Sequence, residues 1–174
     1  MSISVPTAGT PILDTWGAAV ANQLNTMLVI GMTSDQSTNN SVASGAAVTE
    51  LQWPATSGTL YVARLFGSYY CNATNQGLQL GFTAPAGSGI VYMQIAGSGT
   101  ATATSRHRTT AGTATYTGRT TVDSAGSNRE WWADIRYVPS ASGTIQLTFA
   151  RGGTSGAPGV TLRQGSGGMV YQFA

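Results

Sequence analysis

The sequence predicts an all-β fold: a jelly-roll-like β-sandwich or barrel that carries an extended N-terminal arm and one short helix. Three observations predict it. Alternating apolar and polar residues recur in short runs from residue 46 onward. Gly, Pro and Ser turns separate the runs, as in Ala84-Pro-Ala-Gly-Ser-Gly89, Pro139-Ser-Ala-Ser-Gly143 and Gly152-Gly-Thr-Ser-Gly-Ala-Pro-Gly159. Beyond residue 30 no segment has the length or period of a crossover helix, so alternating α/β architectures are excluded. At 174 residues the chain can bury one real core but not two. It divides into an arm (1–13), a short amphipathic helix (14–28) and a β-sandwich domain (29–174).

Pro6 and Pro11 bracket Gly9 in the arm, and Ile3 and Val5 alternate before them. Such a segment runs extended but has no partner of its own, which makes Ile3 and Val5 candidates for strand addition to another surface. Asp14 is a suitable N-cap. Trp16, Val20, Leu24 and Met27 then recur at spacings of four, four and three, on one helical face. A helix this short is marginal alone, and Gly17 weakens it by about 1 kcal/mol relative to Ala. It must dock, either on its own β domain or against equivalent helices of other subunits.

Leu28 to Met32 can continue as a strand because β-branched residues enter there. Thr33 to Gly45 reads as a loop. Ala47 to Trp53 alternates, with Leu51 and Trp53 opposite Glu50 and Gln52, and is expected to stop at Pro54. Thr59 to Cys71 is the longest run, and both of its parities are partly apolar: Leu60, Val62 and Phe66 on one, Tyr61, Ala63 and Leu65 on the other. One face then belongs to the core and the other to a neighbour, unless a bulge near Gly67 exchanges them. Further strands are expected at Leu78–Thr83, Ile90–Ala96, Thr113–Val122, Trp131–Val138, Thr144–Ala150, Val160–Gln164 and Met169–Phe173. The Thr-rich stretch 97–104 is a strand or a loop.

Only 8% of residues are charged, against roughly 25% in ordinary soluble domains. Low charge weakens repulsion between copies and suits a surface that packs against neighbours. Eight Arg and six acids, with no Lys, form no basic stripe, so direct nucleic-acid binding is not expected. No 18-residue apolar stretch exists, so no membrane partner is expected. The start Met-Ser-Ile-Ser-Val-Pro lacks the pattern of a signal peptide, which points to synthesis in a cytoplasm.

Catalytic material is thin. Glu130 and Asp134 point to the same side of a strand but stand about 13 Å apart by strand rise, beyond the ~5–9.5 Å of glycosidase pairs. Cys71 is the only cysteine and reads as a small buried side chain. One His, His107, and one Cys cannot build a tetrahedral metal site within a chain, and no phosphate-binding loop is present. No enzyme activity and no cofactor are expected. Of the adjacent Trp131 and Trp132, one must face outward from a strand, where it serves a subunit interface, a glycan or ordinary core. Both are candidate interface residues. Arg129 and Arg136 are candidate partners for Glu130 or Asp134 of the same or an adjacent subunit.

The motif Pro6-Thr-Ala-Gly-Thr-Pro-Ile-Leu-Asp-Thr-Trp-Gly-Ala-Ala-Val-Ala-Asn-Gln-Leu-Asn25 resembles the N-termini of small virion structural proteins of tailed bacteriophages, of head decoration or minor tail type, especially from actinobacterial hosts. Gly58 to Tyr70, Gly77 to Gly87 and the closing Val160-Thr-Leu-Arg-Gln164 are similar to the same type. The resemblance implies a non-enzymatic, jelly-roll-like subunit that assembles as a homotrimer on the particle and is anchored through its N-terminus. The chain has no repetitive shaft, which favours a capsid decoration protein. Such a subunit sits on the outer surface of the virion, contacts the major capsid protein and reinforces the shell. The alternative is a tail-associated receptor- or carbohydrate-binding protein.

Overall fold

The computed structural model describes residues 26–38, 45–74, 76–96, 102–109, 117–118, 126–153 and 159–173. The chain is all-β there, with two antiparallel sheets in a sandwich-like arrangement. The larger sheet contains β1 (Met27–Gly31), β2 (Gln36–Thr38), β4 (Leu60–Cys71), β6 (Gly87–Ala96), β7 (Thr102–Thr109), β9 (Arg129–Pro139), β11 (Val160–Leu162) and β12 (Gly167–Phe173). Its main path is β1-β12-β4-β9-β6-β7. The smaller sheet runs β3 (Ala46–Ala55), β10 (Gly143–Gly153), β5 (Gln76–Thr83), β8 (Thr117–Gly118). β3 to β6 alternate between the sheets, as do β9 and β10, so strands far apart in sequence become neighbours, as in Greek-key sandwiches, while β6 and β7 pair as sequence neighbours.

The core is the set of inward-facing residues, which follows alternation except in β3, where a register shift against β10 turns both Val48 and Leu51 inward. Tyr61, Ala63, Leu65, Val91, Met93, Trp131, Ile135 and Tyr137 come from the larger sheet. Val48, Leu51, Trp53, Leu80, Phe82, Ile145, Leu147 and Phe149 come from the smaller one. Phe82 and Tyr137 meet edge to face across the interior with ring centroids 5.8 Å apart. The Tyr137 hydroxyl donates to the Pro85 carbonyl at 2.6 Å, so its polar end is satisfied at the core's margin.

β4 is long enough to pair with two strands end to end. β12 covers Leu60–Phe66 and β11 covers Tyr69–Cys71. β1 and β2 lie outside β12 and β11 in the same way. The break between the two halves is held by specific bonds. Met32 N–H donates to Ser166 O at 2.7 Å and Gly165 N–H to Met32 O at 2.9 Å, while Arg163 pairs with Asp35 at 2.5 Å. Gly165 takes a positive φ of 81° at this turn, a conformation that Gly adopts without strain.

Several sequence expectations need correction. Met27 and Leu28, assigned to the helix, open β1: ladder pairing of Met27–Gly31 with Gly167–Tyr171 outcompetes a last helical turn for this β-branched stretch. The 33–45 loop contains β2, which is too short to show a period. β3 does not stop at Pro54. It runs on to Ala55, and Pro54 is tolerated because β3 is an edge strand, where one side of the backbone makes no ladder bonds. Gly167 and Gly168, which precede the strand expected at Met169–Phe173, lie inside β12. Of the 113–122 strand, Thr117–Gly118 form β8 and the rest lies outside the described residues, as do the arm, helix residues 14–25 and residues 97–101.

Candidate functional site

The two outward faces of the sandwich differ in chemistry. The outer side of the smaller sheet presents Gln52, Pro54, Thr144, Gln146 and Thr83 at one end, and is buried at Thr148 and Ala150 toward the other. The outer side of the larger sheet is apolar. Register places Met27, Tyr171, Val62, Arg136 and Ile90 in one row across five strands, and Val29, Met169, Arg64, Asp134 and Tyr92 in the next. Phe66 and Trp132 form a third row, with Gly31 and Gly167 beside them. Five of the six large exposed hydrophobics of the described residues stand on this face: Met27, Val29, Phe66, Met169 and Phe173. Val29 is 68% exposed and Phe66 55%.

Two open hollows shape it. The first, of about 460 Å³, lies over the first two rows between Met169 and Tyr171 on one side and Ile90 and Tyr92 on the other. The second, of about 410 Å³, lies beyond them and is bordered by Phe66, Ser68, Glu130, Trp132 and Gln164.

Charge is balanced on the two central strands, Arg64 and Arg136 against Glu130 and Asp134, while register sets Arg106 and Arg108 of β7 opposite Tyr92 and Ile90 at the edge. Arg64 Nε donates to Asp134 Oδ1 at 2.8 Å across β4 and β9, and the carboxylate raises the guanidinium's pKa by accepting that bond and by its negative charge. Both side chains keep substantial exposure, so the pair adds little stability. Glu130 and Arg136 are exposed on the same side of β9 and have no ion-pair partner among the described residues.

The sequence candidates divide accordingly. Trp131 is 1% exposed and belongs to the core, so it is not available to a partner. Trp132 is half-buried on the outer face. Arg129 is buried and donates to Ser127 O at 2.8 Å, away from the position expected for an inter-subunit contact. Asp134 takes Arg64, not Arg129 or Arg136, because the β4–β9 register sets Arg64 directly opposite. Met27 stands at the rim of the outer face. Ile3, Val5, Trp16, Val20 and Leu24 lie outside the described residues.

Sequence reading missed Ile90, Tyr92, Met169, Tyr171 and Phe173 as members of one surface. The only available signal was the two-sided apolarity of β4; the rest depended on which strands pair.

Cys71 is fully buried, and burial pushes its thiol up to about 11, so the nucleophilic thiolate is suppressed. Among the described residues no three metal-ligating side chains cluster, and no helix is long and apolar enough to cross a membrane.

No family model matches the chain, and neither does any curated protein. Among solved structures it is similar to two from infectious bursal disease virus. One is described as the structure of the Gx strain, at 15% identity and TM-score 0.23, covering 84% of this chain and 40% of that one. The other is the VP2 subviral particle, at 12% identity and TM-score 0.22, covering 84% and 39%. The chain thus spans about two fifths of the length of these structures.

Proposed function

We propose that this chain is a non-enzymatic structural subunit of a tailed-bacteriophage virion: a head decoration protein that assembles as a homotrimer and binds the major capsid protein on the outer surface of the shell. The observation that carries this reading is the apolar outer face of the larger sheet, in a chain with 8% charged residues. A solvated sheet face is normally polar, and an apolar one of this extent is covered in the working state. The phage-like motif at residues 6–25 supplies the class of assembly. The subunit works by multiplying modest contacts, with the arm adding strands to exposed edges of the shell.

Molar mass in solution and binding to capsids, for the full chain and for a version lacking residues 1–25, test the proposal. The expected result is a trimer that binds capsids only with the arm present. A monomer whose behaviour is indifferent to the truncation would overturn it.

A second reading rests on Trp132. Its half-exposed ring borders a hollow with Glu130, Ser68 and Gln164, which suits a sugar of a host receptor if the chain belongs to a tail. Quenching or shift of tryptophan fluorescence by host cell-wall oligosaccharides, lost in Trp132→Ala, distinguishes this reading from decoration.

A further inference from the structure

The outer face of the larger sheet carries a charge pattern that matches itself. Glu130 and Arg136 stand six residues apart on β9, point to the same side and have no ion-pair partner among the described residues. Ala133 is the midpoint between them. We propose that this face pairs with the same face of a second copy about a two-fold axis that crosses β9 at Ala133, so that Glu130 of each copy meets Arg136 of the other.

The rotation brings unlike surfaces together along the whole sheet. Residues below Ala133 fall over residues above it. Asp134 then lies over the second copy's Trp132, and Arg64 over its Phe66, where a guanidinium gains from the face of an aromatic ring. Met169 falls over Gly167 of the second copy, and Val62 over its Ser68, so large side chains meet small ones. The bulky rows that wall the first hollow face the second hollow, and the reverse.

Opposite charges are equal in number on the central strands: Arg64 and Arg136 against Glu130 and Asp134. On these two strands no net repulsion opposes the approach of an identical copy, and register keeps Arg106 and Arg108 at the far edge of the face, on β7. Four strands spaced by about 4.8 Å, three contributing about nine residues and β12 seven at 3.4 Å, give a flat footprint of about 550 Å². Side-chain relief brings this near the ~800 Å² per partner of a standard interface. The pairing covers the outer face with a second copy and so leaves residues 1–25 to make the three-fold and shell contacts proposed above.

Sedimentation equilibrium on the full chain, across concentration, tests the inference. Wild type should form a species of twice the mass of the one formed by Phe66→Glu/Met169→Glu, with near-UV circular dichroism confirming that the variant is folded. Glu130→Arg and Arg136→Glu, each alone, should weaken the pairing at least tenfold, because each sets like charges opposite one another twice. Combined in one chain they should restore it to within about threefold of wild type.

The inference is overturned if wild type and the outer-face variant have the same mass, or if the double charge reversal pairs as weakly as either single one. It is also overturned if wild type does not pair while the outer-face variant loses binding to capsids, which would give the face to the shell. Loss of three-fold assembly on removing residues 1–25 is a separate readout, so the two proposals fail separately.

Discussion

At the residue scale, two titratable groups report how the sandwich is closed. Cys71 ends β4 with no solvent contact, and burial raises its thiol from the ordinary 9.0 to about 11. The neutral form is therefore the one that the fold stabilises. That contribution is complete below about pH 9 and is lost as pH rises through about 11. Iodoacetamide at pH 8 should leave native Cys71 unmodified and label it fully in denaturant, as mass spectrometry would show. Rapid labelling of the folded chain would contradict the packing. Glu50 reports from the opposite side of the pH scale. The Thr33 hydroxyl and backbone N–H donate to its Oε1 at 2.5 and 2.9 Å and hold its carboxyl below the ordinary 4.5. Its stabilisation is present above about pH 4.5 and lost as pH falls through the lowered value. In Thr33→Val the Glu50 titration followed by NMR should move up toward the ordinary carboxylate range; an unmoved titration would refute the assignment of cause.

At the element scale, β12 shows how glycine allows a strand to sit between two close neighbours. A Cβ on Gly168 would come within 2.0 Å of the Arg64 carbonyl oxygen on β4, and one on Gly167 within 2.4 Å of the Ile30 carbonyl on β1. Both obstacles are backbone and cannot swing aside. Gly168→Ala should therefore cost about 1–3 kcal/mol, or about 3–10 °C in Tm for a chain of this length. A Tm within 1 °C of wild type would show that β12 is less tightly placed than described. Gly58, at a φ of 79° with open space around its Cβ position, is the contrast: its Ala variant meets backbone strain alone, about 1–2 kcal/mol. The turn-like composition of residues 165–168 concealed this role, since a glycine run reads as a turn unless the neighbouring strands are known.

The whole molecule is built from distant pairings. β12 and β11 lie on β4 about a hundred residues away, β9 lies on β4, and β3 lies on β10. Loop closure must precede most of these contacts, so the chain should refold on the millisecond-to-second scale typical of all-β sandwiches. Stopped-flow tryptophan fluorescence checks this, and a microsecond phase carrying the full amplitude would argue against the topology. By itself the sequence determined the β class, the position of most long strands, the inward parity of Leu51 and Trp53, and the burial of Cys71. These follow from period-two alternation, turn residues and composition, all of them local. Tertiary structure alone decided that Trp131 enters the core while Trp132 stays outside, that Asp134 takes Arg64 as its partner, and that Met27 joins a strand. It also decided that Val29, Phe66, Met169 and Tyr171 share one outward face. Alternation says that neighbours in a strand point to opposite sides; only the register with strands distant in sequence says which side is buried and which residues stand together on the other.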